Sequence, residues 1–161
     1  MRTSSRRGDT SLASPSVKPI GREEFARRRR QLMKTMGRDS IAILPAAPVR
    51  LRNNDVEYAY RQDSDFHYLT GFPEPEAVAV FVPGRAQGEF VLFVRDRDPT
   101  RETWDGRRAG PEGATRDFGA DDAFPVADID EILPGLMENG AKVFYTAVSY
   151  THLTLPTNRE V

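Results

Sequence analysis

From Arg22 to Gly37 the chain reads REEFARRRRQLMKTMG, and Phe25, Leu32, Met33 and Met36 recur at i, i+7, i+8 and i+11. That spacing predicts an amphipathic helix. Glu23 and Glu24 stand in its first turn, where they favour the positive end of the helix dipole, and Gly37 is a natural stop. The short apolar run Ile41–Leu44 reads as a buried strand ended by Pro45 and Pro48. Ala77–Val82 and Glu89–Val94 are two further strands, with Pro83–Gly88 as the hairpin loop between them. Both runs are nearly all apolar, so they belong inside a sheet covered on both faces. Helices must supply the cover, and the fold class expected is α/β.

The next tract, RDRDPTRETWDGRRAGPEGATRDFGADDAF, is polar and glycine-rich with little periodicity, and it reads as mostly loop. Asp128 is placed to cap a second helix carrying Ile129, Ile132, Leu133, Leu136 and Met137 at helical spacing. Pro134-Gly135 falls inside that pattern and should kink or shorten it. Asn139-Gly140 ends it, and Lys142–Tyr145 reads as a last strand. No internal repeat is visible.

The segment YRQDSDFHYLTGF, Tyr60–Phe72, has the densest candidate chemistry. Read as a strand, it sets Asp63, Asp65 and His67 on one side. Such a row could offer oxygen and nitrogen ligands to a divalent ion. Metal sites usually gather ligands from several elements, however, and three consecutive same-side residues span a distance awkward for one ion. The favoured reading is that the carboxylates cap turns and accept hydrogen bonds from nearby backbone or arginine, Arg61 included. Tyr58, Tyr60, Phe66, Tyr68 and Phe72 supply an aromatic cluster able to anchor packing. Gly71 is placed for a turn.

Composition narrows the classes. The 161 residues hold 23 Lys+Arg against 24 Asp+Glu, a net charge of -1, and no cysteine. Thiolate chemistry and Cys-ligated zinc are excluded, and global charge favours neither nucleic acid nor an anionic membrane as partner. The run Arg27–Arg30 reads as a solvated helix face rather than a nucleic-acid contact, because no aromatics are interleaved with it. No apolar run approaches the ~20 residues that span a bilayer. Zinc-finger, EF-hand, Walker, H-E-x-x-H and G-x-S-x-G patterns are all missing. Residues 1–19 are basic and Ser-rich without an apolar stretch, which argues against a secretory signal, and they are expected to be a disordered cytoplasmic N-terminus rather than a transit peptide.

The strings RRRRQLM, DVEYAYRQDSDFHYLTGFPEPEAVAVF, FVRDRD and TWDGRR, in that order, closely resemble the N-terminal domain of Xaa-Pro aminopeptidases (aminopeptidase P). The resemblance covers about Arg22 to Ala147. It implies a mixed β-sheet flanked by helices, like the N-terminal domains of creatinase and prolidase, over residues 20–147. It implies a second, catalytic domain that binds two metal ions, usually manganese, through Asp, Asp, His, Glu and Glu. There a metal-bridged hydroxide cleaves the bond between an N-terminal residue and a following proline. Those ligands have no counterpart in this sequence, so the chain alone is expected to lack peptidase activity. Its expected part is in homo-oligomer assembly and in shaping the substrate entrance.

Asp55 and Trp104 match positions that reach a neighbouring subunit's active-site mouth. A capping role for Asp55 and a packed loop aromatic for Trp104 are the structural alternatives. Arg107 and Arg108 are read as interface partners or as solvated charge. The sequence departs from the family at Asp105, where an aromatic is common, and at Pro134-Gly135. Residues 148–161 break the pattern and resemble a translated sequencing adapter; a real edge strand is the alternative. Other readings of the whole are a stand-alone, non-catalytic interaction module and a small metal hydrolase built on Asp63, Asp65 and His67.

Overall fold

A computed structural model of the chain describes residues 17–53, 56–57 and 59–146. Asp55, Tyr58 and the 148–161 tail, like most of the N-terminal segment, lie outside the described residues. Five strands form one mixed sheet in the order β6-β5-β4-β1-β7. Here β1 is Ser40–Pro45, β4 Val78–Phe81, β5 Phe90–Val94, β6 Asp122–Pro125 and β7 Lys142–Tyr145. β1, β4 and β5 run antiparallel to their neighbours in the centre, while β6 and β7 join the two edges in parallel. A separate two-stranded ribbon pairs β2 (Leu51–Asn53) with β3 (Val56–Glu57). The expected hairpin over Pro83–Gly88 is present, with Ala79 opposite Leu92 and Phe81 opposite Phe90.

The alternation of side chains splits the sheet into two apolar layers. Ala79, Phe81, Phe90 and Leu92 face helix α1 (Arg22–Met36) and helix α2 (Ser64–Thr70), which contribute Met33, Phe66 and Leu69. Ile41, Val80, Val91 and Phe93 face helix α5 (Ile129–Met137), which contributes Ile129, Ile132 and Leu133. Every residue of β5 is buried. The near-continuous apolar runs therefore mark strands covered on both sides, as expected. Asp128 holds the N-cap position of α5, but its side chain makes no capping hydrogen bond; a 3-10 turn over Val126–Asp128 leads in instead. The helix passes through Pro134 and ends at Met137.

Three expectations are corrected. The polar tract is not mostly loop: it holds helix α3 (Pro99–Asp105), helix α4 (Gly110–Phe118) and strand β6. The buried residues of α4 are Gly110, Gly113 and Ala114, so it lies close to the sheet with almost no apolar side chain to betray its period. The segment Ser64–Thr70 is helix, not strand. The Arg27–Arg30 run is not wholly solvated either: Arg29 follows Phe25 and precedes Met33 by four residues, on the inward face, and is 6% exposed. Its guanidinium lies 4.1 Å from the Phe90 ring centre and donates to the Leu69 carbonyl at 3.0 Å. Burial lowers its pKa to about 10, which still leaves it charged at neutral pH. No helix is long and apolar enough to cross a membrane among the described residues.

Candidate functional site

The Asp63–His67 row dissolves once the segment is helical. Asp63 is the N-cap of α2, and one carboxylate oxygen accepts from the Asp65 and Phe66 amides at 3.0 and 2.9 Å. Asp65 and His67, two residues apart on a helix, point about 200° away from each other. His67 instead meets the Phe25 ring edge-on at 6.1 Å. No ion pair joins Arg61 to Asp63 or Asp65 among the described residues. Of the aromatic cluster, Phe66 and Phe72 are fully buried and Tyr68 is about half exposed. Tyr68 lies under the Arg28 guanidinium at 4.2 Å. Gly71 caps α2 at φ +66, and a Cβ there would meet the Phe25 ring at 2.8 Å, so the turn is closed to other residues.

Gln62, not singled out from the sequence, organises the approach to α2. Its Oε1 accepts from the Ala47 amide at 2.8 Å and the Asp63 amide at 2.9 Å. Its Nε2 donates to the carbonyls of Phe72 and Glu74. The Tyr60 hydroxyl lies 2.9 Å from both Gln62 Oε1 and the Ala47 carbonyl, and its single proton serves one at a time. Burial pushes the Tyr60 phenol up to about 12, so it stays neutral as a donor. A glutamine beside a capping aspartate, between an aromatic and a Pro-rich turn, was the available signal.

Trp104 sits on α3, and that helix is held by polar contacts alone. Asp98 caps it, accepting from the Thr100 and Arg101 amides at 3.0 and 3.2 Å. Pro99 occupies the first turn, where its missing N–H costs nothing. Arg97 clasps Glu102 with two parallel hydrogen bonds of 3.1 Å. That clasp holds the Glu102 carboxyl below its ordinary range. Gly106 ends the helix, its N–H donating to the Glu102 carbonyl. No residue of α3 is buried, and Trp104 is 86% exposed. An indole offers ~150–250 Å² of contact area. At ~25 cal/mol per Å², covering it is worth several kcal/mol, a gain this domain leaves unused.

Behind α3 the charges turn inward. Arg108 is buried, donates to the Asp96 carbonyl at 3.4 Å, and lies 3.6 Å from Asp105. Its expected role as interface partner or solvated charge is thereby corrected: Arg108 is an internal strut, and only Arg107 is exposed. Asp105, the departure from the family pattern, has a local function as Arg108's partner. Glu74 Oε1 accepts from the Ala109 amide at 2.8 Å and so caps the approach to α4.

No group of three His, Cys, Asp or Glu side chains converges among the described residues. The best-placed carboxylate, Asp63, is spent on capping. Asp55, the other entrance candidate, lies outside the described residues.

The chain matches the model of the aminopeptidase P N-terminal domain over residues 25–145. The Xaa-Pro aminopeptidase of Escherichia coli (strain K12) is 46% identical over 129 residues, which are 80% of this chain and 29% of that protein. The solved structure of Pseudomonas aeruginosa aminopeptidase PepP superposes with a TM-score of 0.78 at 63% identity, covering 82% of this chain and 30% of that one. A zinc-substituted E. coli aminopeptidase P in complex with product superposes at 0.77 and 42% identity, covering 84% and 31%. The chain thus spans about 30% of the length of these relatives. With its mixed sheet, flanking helices and matched sequence, it belongs to the aminopeptidase P family, as that family's N-terminal domain.

Proposed function

We propose that residues 20–147 serve as the N-terminal domain of a metal-dependent Xaa-Pro aminopeptidase, an enzyme that removes an N-terminal residue preceding proline. The names of the relatives support the substrate class, and zinc substitution in one of them supports a metal. The metal site, two manganese ions in this reading, belongs to a catalytic domain following this one, because the described residues do not fit it. A metal pair there would supply an activated water. This domain contributes no step of that chemistry. Its part is to assemble a homo-oligomer in the cytoplasm and to line the substrate entrance with Trp104 and Asp55.

The observation that carries the reading is Trp104, 86% exposed on a helix that is capped at both ends and buries none of its residues. Tryptophans are enriched among the residues that anchor a second protein surface. The test joins residues 17–146 to the catalytic domain of the P. aeruginosa relative and measures hydrolysis of an Ala-Pro peptide. Trp104→Ala should lower kcat/KM by roughly tenfold to a hundredfold or weaken the oligomer, with little change in stability. Unchanged kinetics and assembly would overturn the role given to Trp104. Hydrolysis by the 161-residue chain alone would overturn the division of labour.

A further inference from the structure

Two segments lie outside the five-stranded sheet, and polar contacts close each at its base. The first runs from Ala47 to Gln62 and contains the β2–β3 ribbon and, by sequence, Asp55. Its ends meet where Gln62 Oε1 accepts from the Ala47 amide at 2.8 Å and the Tyr60 hydroxyl lies 2.9 Å from the Ala47 carbonyl. The second runs from Asp96 to Ala109 and contains α3 with Trp104. Its ends meet where Arg108 donates to the Asp96 carbonyl at 3.4 Å. One residue joins the two bases. The Glu74 carbonyl accepts from Gln62 Nε2 at 2.9 Å, and Glu74 Oε1 accepts from the Ala109 amide at 2.8 Å. The other Glu74 oxygen lies 4.0 Å from Arg95, just past the end of β5. Two residues on, Glu76 takes φ +53, the one positive φ of a non-glycine among the described residues.

We propose that Gln62 and Glu74 are positioning residues of the substrate entrance: they lock the segment bearing Trp104 to the segment that opens at Ala47, so that the two keep one spacing. Three observations carry this. The bridge Ala47–Gln62–Glu74–Ala109 is made of hydrogen bonds of 2.8, 2.9 and 2.8 Å, and each of its ends is a backbone amide at the base of one segment. No residue of α3 is buried, so apolar packing does not set where Trp104 stands and the polar ties at its base must. The junction itself is built from Glu74, Arg95 and Arg108, whose side chains are mostly buried. Apolar residues there would serve stability as well or better, and what a buried polar network supplies is one fixed geometry. The unusual backbone at Glu76, beside the bridging residue, points the same way, since such conformations are kept where the surroundings demand a particular placement. The inference rests on the entrance role proposed above for Trp104 and names what holds that residue in place.

The chain has a single tryptophan and no cysteine. Trp104 is therefore a lone fluorescence donor, and Val49→Cys, at an exposed position of the first segment, takes a lone acceptor. Time-resolved energy transfer in the 161-residue chain reads the spread of distances between them. Glu74→Ala should widen that spread roughly twofold, and Glu74→Gln, which keeps an oxygen for the Ala109 amide, should leave it narrow. Ala109→Pro deletes the same hydrogen bond from its donor side, at a φ of -68 already suited to proline, and should also widen the spread. It decides the matter if Glu74→Ala does not fold. Leu69→Ala, which weakens the apolar core and spares the bridge, should leave the spread narrow. An unchanged spread in Ala109→Pro and in folded Glu74→Ala, or equal widening in Leu69→Ala, would overturn the proposal. In the joined enzyme described above, Glu74→Ala should lower kcat/KM about tenfold, but less than about twofold once residue 104 is already alanine. Equal losses in both backgrounds would overturn it too, because Glu74 would not then act through Trp104. Unchanged kinetics in Trp104→Ala would count against the proposed function, and the energy transfer alone would then decide whether the two segments are locked.

Discussion

Helices α2 and α3 are built alike at their ends. Each has seven residues, begins with an aspartate accepting from two amides, and ends at a glycine with positive φ. Between those ends they diverge. α2 buries Phe66, Leu69 and Thr70, while α3 buries nothing and presents Trp104 to solvent. The local rules of capping are therefore satisfied equally in both, and they say nothing about which helix is core and which is display. A helix held by caps and an arginine clasp, without apolar packing, is suited to offering its aromatic to another surface.

The sharpest test of that contrast is truncation of one aromatic from each. Phe66→Ala should cost ~3–5 kcal/mol, the transfer and cavity terms of a fully buried ring. Trp104→Ala in the same domain should stay within ~0.5 kcal/mol. Chemical denaturation of both variants reads the difference, and equal losses would break the comparison.

Removing the caps comes next. Asp63→Ala should lower global stability by ~1 kcal/mol, because α2 is tied to the core. Asp98→Ala should lose similar local capping energy but show it mainly as faster amide exchange at Thr100 and Arg101, with the global transition almost unmoved. A global loss in Asp98→Ala equal to that in Asp63→Ala would show that α3 is coupled to the core after all.

The smallest expected effect is the response to acid. Glu102 has its folded pKa depressed by the Arg97 clasp, so its contribution is present above the unfolded carboxylate pKa and lost as pH falls through the folded one. Glu24 on α1 behaves likewise, held by Arg27 and then Arg28, from the ordinary 4.5 down to about 2. Acidification below pH 4.5 should therefore loosen α3 while α1 stays in place, since α1 also packs Met33 and Arg29 inside. Amide exchange followed from pH 5 to 2 distinguishes them, and simultaneous opening of α1 and α3 would contradict it.

Much of the architecture was legible because apolar period and burial coincide there. Phe25, Met33 and the runs at Ile41, Ala77 and Glu89 announced α1, β1, β4 and β5. Where burial is achieved without large apolar side chains, the text was silent. α4 packs through Gly110, Gly113 and Ala114, and Arg29 and Arg108 are charged residues taken inward by a ring, a carbonyl and a carboxylate. Asp63-x-Asp65-x-His67 misled because a period of two read on paper becomes opposite faces once the segment is helical. That its carboxylates cap was expected of turns, whereas Asp63 caps a helix that the pattern did not announce.

Sequence alone decided what depends on neighbours along the chain: the turn at Gly71, the apolar strands, and the string that marks the family, while the helix cap expected at Asp128 makes no hydrogen bond. Only the folded structure decided what depends on residues distant in sequence. It set Gln62 between Ala47 and Glu74, covered β5 on both faces, and, among the described residues, left β7 and Trp104 exposed. The reason is physical. Capping is a local hydrogen bond written within a few residues, whereas burial is a sum over partners that only the tertiary arrangement brings together.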